Sequence, residues 1–403
     1  MNIIGIVAEY NPFHTGHAYQ IAQSRRQLGE NAPVVVVMSG NWVQQANCAI
    51  ADKWIRTHLA LRGGADLVLE LPTLWATASA ERFARGAVFL LNACGIVTHL
   101  SFGSELGSLD PLEKVAACLN TPDFSLKLRS ILNQGISFAS ARQQAVMELV
   151  GEHAQVLDHA NNNLGIEYLR SLSALDSSIT PMTVLRQGAG HNTLTGHEKP
   201  TYVSATQIRS WLSNSMQEEA QTYLPPDTLA HFPKQLPYLS LMERGILARF
   251  RYMTADDWSS LPDSGAGEGL PQRLAQAGRQ AGSLEEFYSL AATKRYTNAR
   301  LHRLVLWSYL GLRAEDFSPQ PGYLRVLGST ARGRELLKQM KHHSTLPILT
   351  KPAHARALPA GAAKDFAVEC RCTDLYDLCF PIPPKSGREW TTNPILLDLE
   401  QGE

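Results

Sequence analysis

The chain has 403 residues, 37 Lys and Arg, 37 Asp and Glu, and a formal net charge of zero. That length allows two or three domains, each able to bury its own core. With 18% charged and 44% apolar residues it is neither a disordered chain nor a binder of nucleic acid by gross charge alone, and no apolar run reaches membrane-spanning length.

The start runs straight into an apolar strand pattern, Ile3–Val7, with no signal or transit pattern before it. A cytoplasmic enzyme is therefore expected. Asn11-Pro12 breaks the strand, and a helix pattern begins near Thr15 and continues through Ala18, Ile21 and Ala22. His14-Thr15-Gly16-His17 sits at the seam between them. Open α/β sheets bind ligands at that edge, and helix N-termini favour anions. The pattern marks enzymes that split a nucleoside triphosphate between its α- and β-phosphates. Gly16 lets a phosphate approach the backbone, and both imidazoles can donate hydrogen bonds to phosphoryl oxygens.

Further strands are predicted at Val34–Met38, Leu67–Leu71, His99–Phe102 and Pro181–Leu185, with helices such as Ala51–Leu61 and Ala78–Leu91 between them. Alternation of this kind implies a parallel sheet with right-handed crossovers. The loops after the strands should gather at one edge with the histidines. From about Pro111 to Leu175 the pattern is mostly helical. Asp66 and Glu70 flank a buried strand and read as residues that hold loops. Ser204 is a plausible N-cap for a helix opening Ala205-Thr206-Gln207-Ile208-Arg209. Pro225-Pro226 suggests a boundary, giving a nucleotide-handling domain over 1–225 and a mainly helical region over 226–403.

Six cysteines are present. Cys48, Cys94 and Cys118 read as buried thiols, and Cys370, Cys372 and Cys379 fit no common zinc spacing, so no protein-held metal is expected. Charge concentrates late: residues 291–356 carry twelve Lys and Arg against three Asp and Glu, a net +9. Lys294, Arg295, Arg300 and Arg303 form its densest part and are candidates for a phosphate-backbone surface.

These motifs together resemble the bacterial tRNA(Met) cytidine acetate ligase family of the nucleotidyltransferase superfamily. The likeness runs through Val7–His17, Met38–Asn41, Asp52–Trp54, Gly64–Pro72, Phe102–Glu105, Asn161–Tyr168, Arg186–Gly190 and Ser204–Arg209. It continues through Glu268–Leu270, Lys294–Thr297 and Tyr323–Gly328, so it covers nearly the whole chain. It implies a Rossmann-like α/β fold and formation of N4-acetylcytidine at the wobble position of elongator tRNA(Met), from acetate and ATP through acetyl adenylate. The ATP site implied is Val7, Ala8, Glu9, Tyr10, Asn11, Pro12, Phe13, His14, Thr15, Gly16, His17, Ala18, Tyr19 and Gln20 with Gly103, Asn161 or Asn162, Arg186, Ser204, Thr206 and Arg209. His14, His17 and Arg209 would act in the reaction, and Mg²⁺ would ride on the phosphates. One loop departs from the family. Gln-Arg-Gly-Glu-Pro-Ala is replaced by Gln44-Gln45-Ala46-Asn47-Cys48-Ala49, losing an arginine and a glycine. A small-molecule adenylyltransferase would share the ATP motifs but leave the basic half unexplained. A noncatalytic tRNA-binding protein would leave the histidine pair unexplained.

Overall fold

The computed structural model describes residues 1–187, 201–265, 267, 269–293 and 296–398. Among the described residues the strands are β1 (Ile4–Ala8), β2 (Val34–Ser39), β3 (Trp42–Val43), β4 (Asn47–Cys48), β5 (Leu67–Leu71), β6 (His99–Ser104), β7 (Thr180–Leu185), β8 (Leu324–Thr330), β9 (Ile348–Leu349) and β10 (Ile395–Leu397). The main sheet runs β10-β8-β5-β2-β1-β6-β7, with β9 also paired to β8. Five strands, β5 to β7 in that order, are parallel. Their order reverses between β1 and β6. At such a switch point the crossovers leave to opposite faces and open a crevice above the carboxyl ends.

The strand sequences explain why the sheet is buried on both sides. Val35, Val37, Leu67 and Leu69 face one core with the Ala80–Ala93 helix. Val34, Val36, Met38 and Val68 face another with Phe13, Ile21 and Leu59. Near-continuous β-branched runs suit a strand with two apolar faces.

The later half is mainly helical, as expected, but the sheet does not end near Pro225. β8 lies antiparallel against β5 and extends the sheet, β10 follows it, and β8 is buried along its whole length. Alternation in Tyr323–Gly328 is absent because both its faces are covered, so periodicity alone did not reveal a strand there. Polar contacts fix the same join. Lys53 Nζ, wholly buried, contacts Glu70 at 2.6 Å and also Glu389. Glu369 accepts from the backbone N–H of Thr73 at 2.6 Å and from its hydroxyl at 2.8 Å. Trp42 Nε1 donates to the Cys372 carbonyl, and the Tyr376 hydroxyl donates to that of Ala49. The Ala360–Asp377 helix therefore backs the loops that follow β2 and β5. Asp66 binds Arg25 and the Val34 N–H, so it and Glu70 are loop holders, as read from the sequence.

Candidate active site

β1 ends at Ala8 and the chain turns sharply. Tyr10 takes φ +45°, a left-handed conformation that strains a residue with a Cβ. Its ring is buried edge-on against Phe13 and His17, which stabilises the turn. Arg56, also buried, donates to the backbone carbonyls of Glu9 at 2.7 Å and Ser39 at 3.0 Å, so one guanidinium ties the ends of β1 and β2 together.

The Thr15–Leu28 helix begins on an unusual cap. His14 is the N-cap, and its Nδ1 accepts from the Gly16 N–H at 3.1 Å. His17 Nδ1 accepts in turn from the His14 N–H at 3.2 Å. Both rings are thereby fixed with Nδ1 as acceptor, so in the neutral form each proton sits on Nε2. The rings stack with centroids 3.7 Å apart. Burial, with Arg186 adding repulsion, holds the His14 pKa at about 4, and burial pushes His17 well below its ordinary value. The pair is neutral near pH 7. It offers two Nε2–H donors at the positive end of the helix dipole, which also favours an anion; the first-turn N–H groups themselves are taken up by the Tyr223 carbonyl and by His14. Gly16 has a specific steric reason: a Cβ there would lie 2.9 Å from His14 Cε1 and 3.0 Å from Nδ1.

These groups border a cavity of about 280 Å³ that joins β1, β6 and the Ala160–Ala174 and Ala205–Ser213 helices. A smaller lobe of about 50 Å³ shares His14, His17, Gln20, Gly103 and Arg186 with it and is also lined by Gly16, Tyr19, Leu185, Gln187 and Tyr202. Most residues expected in the ATP site are here: Val7, Ala8, Glu9, Tyr10, Asn11, His14, Gly16, His17, Tyr19, Gln20, Gly103, Asn161, Arg186, Ser204 and Arg209. Arg209 donates to the Asn11 carbonyl at 2.8 Å and to Thr206 Oγ1 at 3.0 Å, so Thr206 orients the arginine and does not line the cavity. Ser204 caps its helix by accepting from the Gln207 N–H. Among the described residues, the Arg186 guanidinium makes no hydrogen bond or ion pair; a Cβ on Gly103 would lie 3.1 Å from its Cγ.

Besides Thr206 and Asn162, four expected positions line neither lobe. Phe13 is core, with its ring filling the space where a Cβ of Gly63 would be. The Thr15 N–H donates to Tyr223, Ala18 packs on the core, and Pro12 lines neither lobe. Of the two asparagines, Asn162 is fully buried and accepts from the Glu105 N–H, whereas Asn161 reaches the cavity wall. Residues 188–190 of the motif after Arg186 lie outside the described residues.

Gln44, from the loop that departs from the family, also lines the wall, and four further wall residues carry no role in the sequence pattern: Phe83, Phe102, Leu164 and Tyr168. A signal was present for two of them. Asn161, Leu164 and Tyr168 fall on one helix face at spacings of three and four. The altered loop is the hairpin β3–β4. Ala46 sits at φ +55°, the position where a glycine is unstrained, and Gln45 Oε1 accepts from Arg209 at 3.3 Å. The missing arginine is thus replaced by a neutral partner for a resident one.

The expected RNA-facing cations are placed less simply. Lys294 and Arg295 lie outside the described residues. Arg300 and Arg303 converge on Asp263 at 3.3 and 3.2 Å, with side chains only 20% and 14% exposed. They hold the Asp263 turn to the Asn298–Leu310 helix, and an RNA phosphate would have to compete with that carboxylate.

The switch-point crevice, the neutral histidine pair and the capped helix define a nucleotidyltransferase of the HIGH type, and the HIGH Nucleotidyl Transferase family pattern matches residues 1–389. The tRNA(Met) cytidine acetate ligase of Syntrophomonas wolfei is 36% identical over 419 residues, covering 98% of this chain and 99% of the relative. That of Thermoanaerobacter sp. strain X514 is 37% identical over 390 residues, covering 94% and 96%. The crystal structure of Thermotoga maritima TmcAL bound with alpha-thio ATP superimposes with a TM-score of 0.90 at 32% identity, covering 99% of this chain and 100% of that one. The chain belongs to the tRNA(Met) cytidine acetate ligase family.

Proposed function

We propose that this protein joins acetate to ATP, releasing pyrophosphate, and passes the acetyl group to the wobble cytidine of elongator tRNA(Met). The observation that carries the reading is the pair of neutral Nε2–H donors at the switch point, in a chain that matches the cytidine acetate ligases along nearly its full length. In the first step a carboxylate oxygen of acetate attacks the α-phosphorus. The bond from that phosphorus to the α/β-bridging oxygen breaks, and pyrophosphate leaves. His14 and His17 donate to the bridging and pyrophosphate oxygens, Arg209 and Arg186 supply positive charge, and the N-terminus of the Ala205–Ser213 helix receives the terminal phosphates. The smaller lobe beside Tyr19 and Tyr202 takes the adenosine. Mg²⁺ bound to the triphosphate would neutralise part of its charge; among the described residues no group of three His, Cys, Asp or Glu side chains is placed to hold an ion.

The test is incubation with ATP, labelled acetate and total tRNA, followed by nucleoside analysis. Labelled acetylcytidine formed only when all three are present is the expected result. ATP cleavage that is indifferent to acetate would overturn the reading in favour of a small-molecule adenylyltransferase.

A further inference from the structure

Glu9 is out of place in a site built for polyphosphate. It lines the larger cavity at the end of β1, beside groups that bind anions, and a carboxylate there repels the nucleotide. Its local chemistry is specific. One oxygen, Oε1, accepts from the Gln44 N–H at 2.7 Å. Among the described residues this is the only hydrogen bond to the carboxylate, so Oε2 is left for a ligand. The wall of the same cavity includes Phe83, Phe102, Leu164 and Tyr168, with the Phe102 and Tyr168 rings edge to face at 5.8 Å and the Tyr168 phenol near enough to feel the charge of Glu9. Burial raises the Glu9 pKa, opposed by the Gln44 N–H and by the charges of Arg209 and Arg56. A carboxylate so tuned takes up a proton more readily than an exposed one.

A planar base with an exocyclic amino group fits this end of the cavity in both respects. Unpaired loop bases are held by stacking on aromatic side chains and by hydrogen bonds to their edges. Cytosine presents an amino group at C4, for which a carboxylate is the natural acceptor, whereas uracil presents a carbonyl that a carboxylate repels.

Resting on the functional reading above, we propose that the aromatic end of the cavity seats the target cytosine and that Glu9 is a catalytic residue of the transfer step, binding the N4 amino group and taking its proton. The N4 lone pair attacks the acetyl carbonyl carbon of acetyl adenylate. The bond from that carbon to the phosphate oxygen breaks, AMP leaves with the electron pair, and one N4 proton passes to Glu9 Oε2. Glu9 takes no proton in the adenylation step, where none moves, so its charge bears on nucleotide binding there and not on the chemistry. The Gln44 N–H holds Oε1 and so leaves Oε2 for the amino group.

The test compares the two half-reactions in Glu9→Gln. Glutamine keeps a carbonyl oxygen for the Gln44 N–H but cannot serve as the base. Acetate-dependent exchange of pyrophosphate into ATP reads the first step. Single-turnover acetylation of tRNA by enzyme preloaded with ATP and acetate reads the second, followed from pH 5 to 9. Transfer is expected to fall on the order of a hundredfold or more, much further than exchange, with loss of the acid limb of the pH profile. Glu9→Asp, which retains a carboxylate, should recover part of the transfer rate. Equal loss of exchange and transfer in both variants, or unchanged transfer in Glu9→Gln, would overturn the role of Glu9 alone. Failure of the unaltered protein to acetylate any tRNA while exchange is robust would overturn the functional reading, and the base seat with it.

Discussion

Gly16→Ala separates the chemistry of the histidine pair from its contribution to the fold. Gly16 lies in the first turn of the Thr15–Leu28 helix and has no positive φ, so an alanine backbone is tolerated there. In a helix, Ala is favoured over Gly by about 0.5–1 kcal/mol. Against this, the new Cβ would lie 2.9 Å from His14 Cε1, closer than van der Waals contact allows. The ring must move, and the bond from the Gly16 N–H to His14 Nδ1 is weakened. Loss of a side-chain N-cap costs about 1 kcal/mol. The two terms nearly cancel, so stability should change by less than about 1 kcal/mol. The rate should not be spared. Moving His14 removes one positioned donor from the pyrophosphate oxygens, and such a loss costs about a hundredfold. Acetate-dependent pyrophosphate exchange and denaturant unfolding, measured on the same preparation, test both halves. Exchange within threefold of the unaltered protein would refute the geometric role given to His14. A stability loss above about 3 kcal/mol, as large as a major core truncation, would refute its local character.

Three other outcomes follow from the same contacts. His14 binds its proton with a pKa of about 4 in the folded protein against 6.5 ordinarily, so the unfolded chain binds more protons between those values and stability falls as pH falls through that window. From pH 7 to pH 5 this group alone should remove about 2 kcal/mol; denaturation of His14→Asn across the same window should show a shallower slope, and an unchanged slope would count against the buried neutral ring. Lys53→Met leaves the Glu70 and Glu389 carboxylates buried without their shared cation, and should cost about 3–5 kcal/mol by urea unfolding; a cost below 1 kcal/mol would mean the ion cluster does not hold the carboxyl-terminal residues to the sheet. A chain ending near Pro225 strips β8 from β5 and removes the helix that backs the β2 and β5 loops, so it should not give a cooperatively unfolding, ATP-binding domain. Circular dichroism melts and ATP titration of that fragment would contradict this if both behaved as in the full chain.

Much of the candidate site was legible in the sequence because its parts are local. His14, Gly16 and His17 are fixed by one strand-to-helix turn, and Ser204 and Arg209 by one helix start, so spacing alone places each group relative to its neighbours. The parallel strands β1, β2, β5, β6 and β7 were legible for a similar reason: each is a short apolar run bounded by turn residues. Tertiary structure decided the rest. β8 pairs with β5 across more than 250 residues of chain, and a strand buried on both faces carries no alternation to announce it. The charge of Arg300 and Arg303 could be counted, but their common partner Asp263 lies some forty residues away and only folding brings it near. Glu9 could be placed beside the histidines from sequence alone. Its setting comes from Phe83, Phe102 and Tyr168 on three separate elements, and from a Gln44 N–H on a fourth. Local chemistry identified the half of the candidate site around the histidine pair, and only the packing of distant helices onto the sheet edge shaped the half around Glu9.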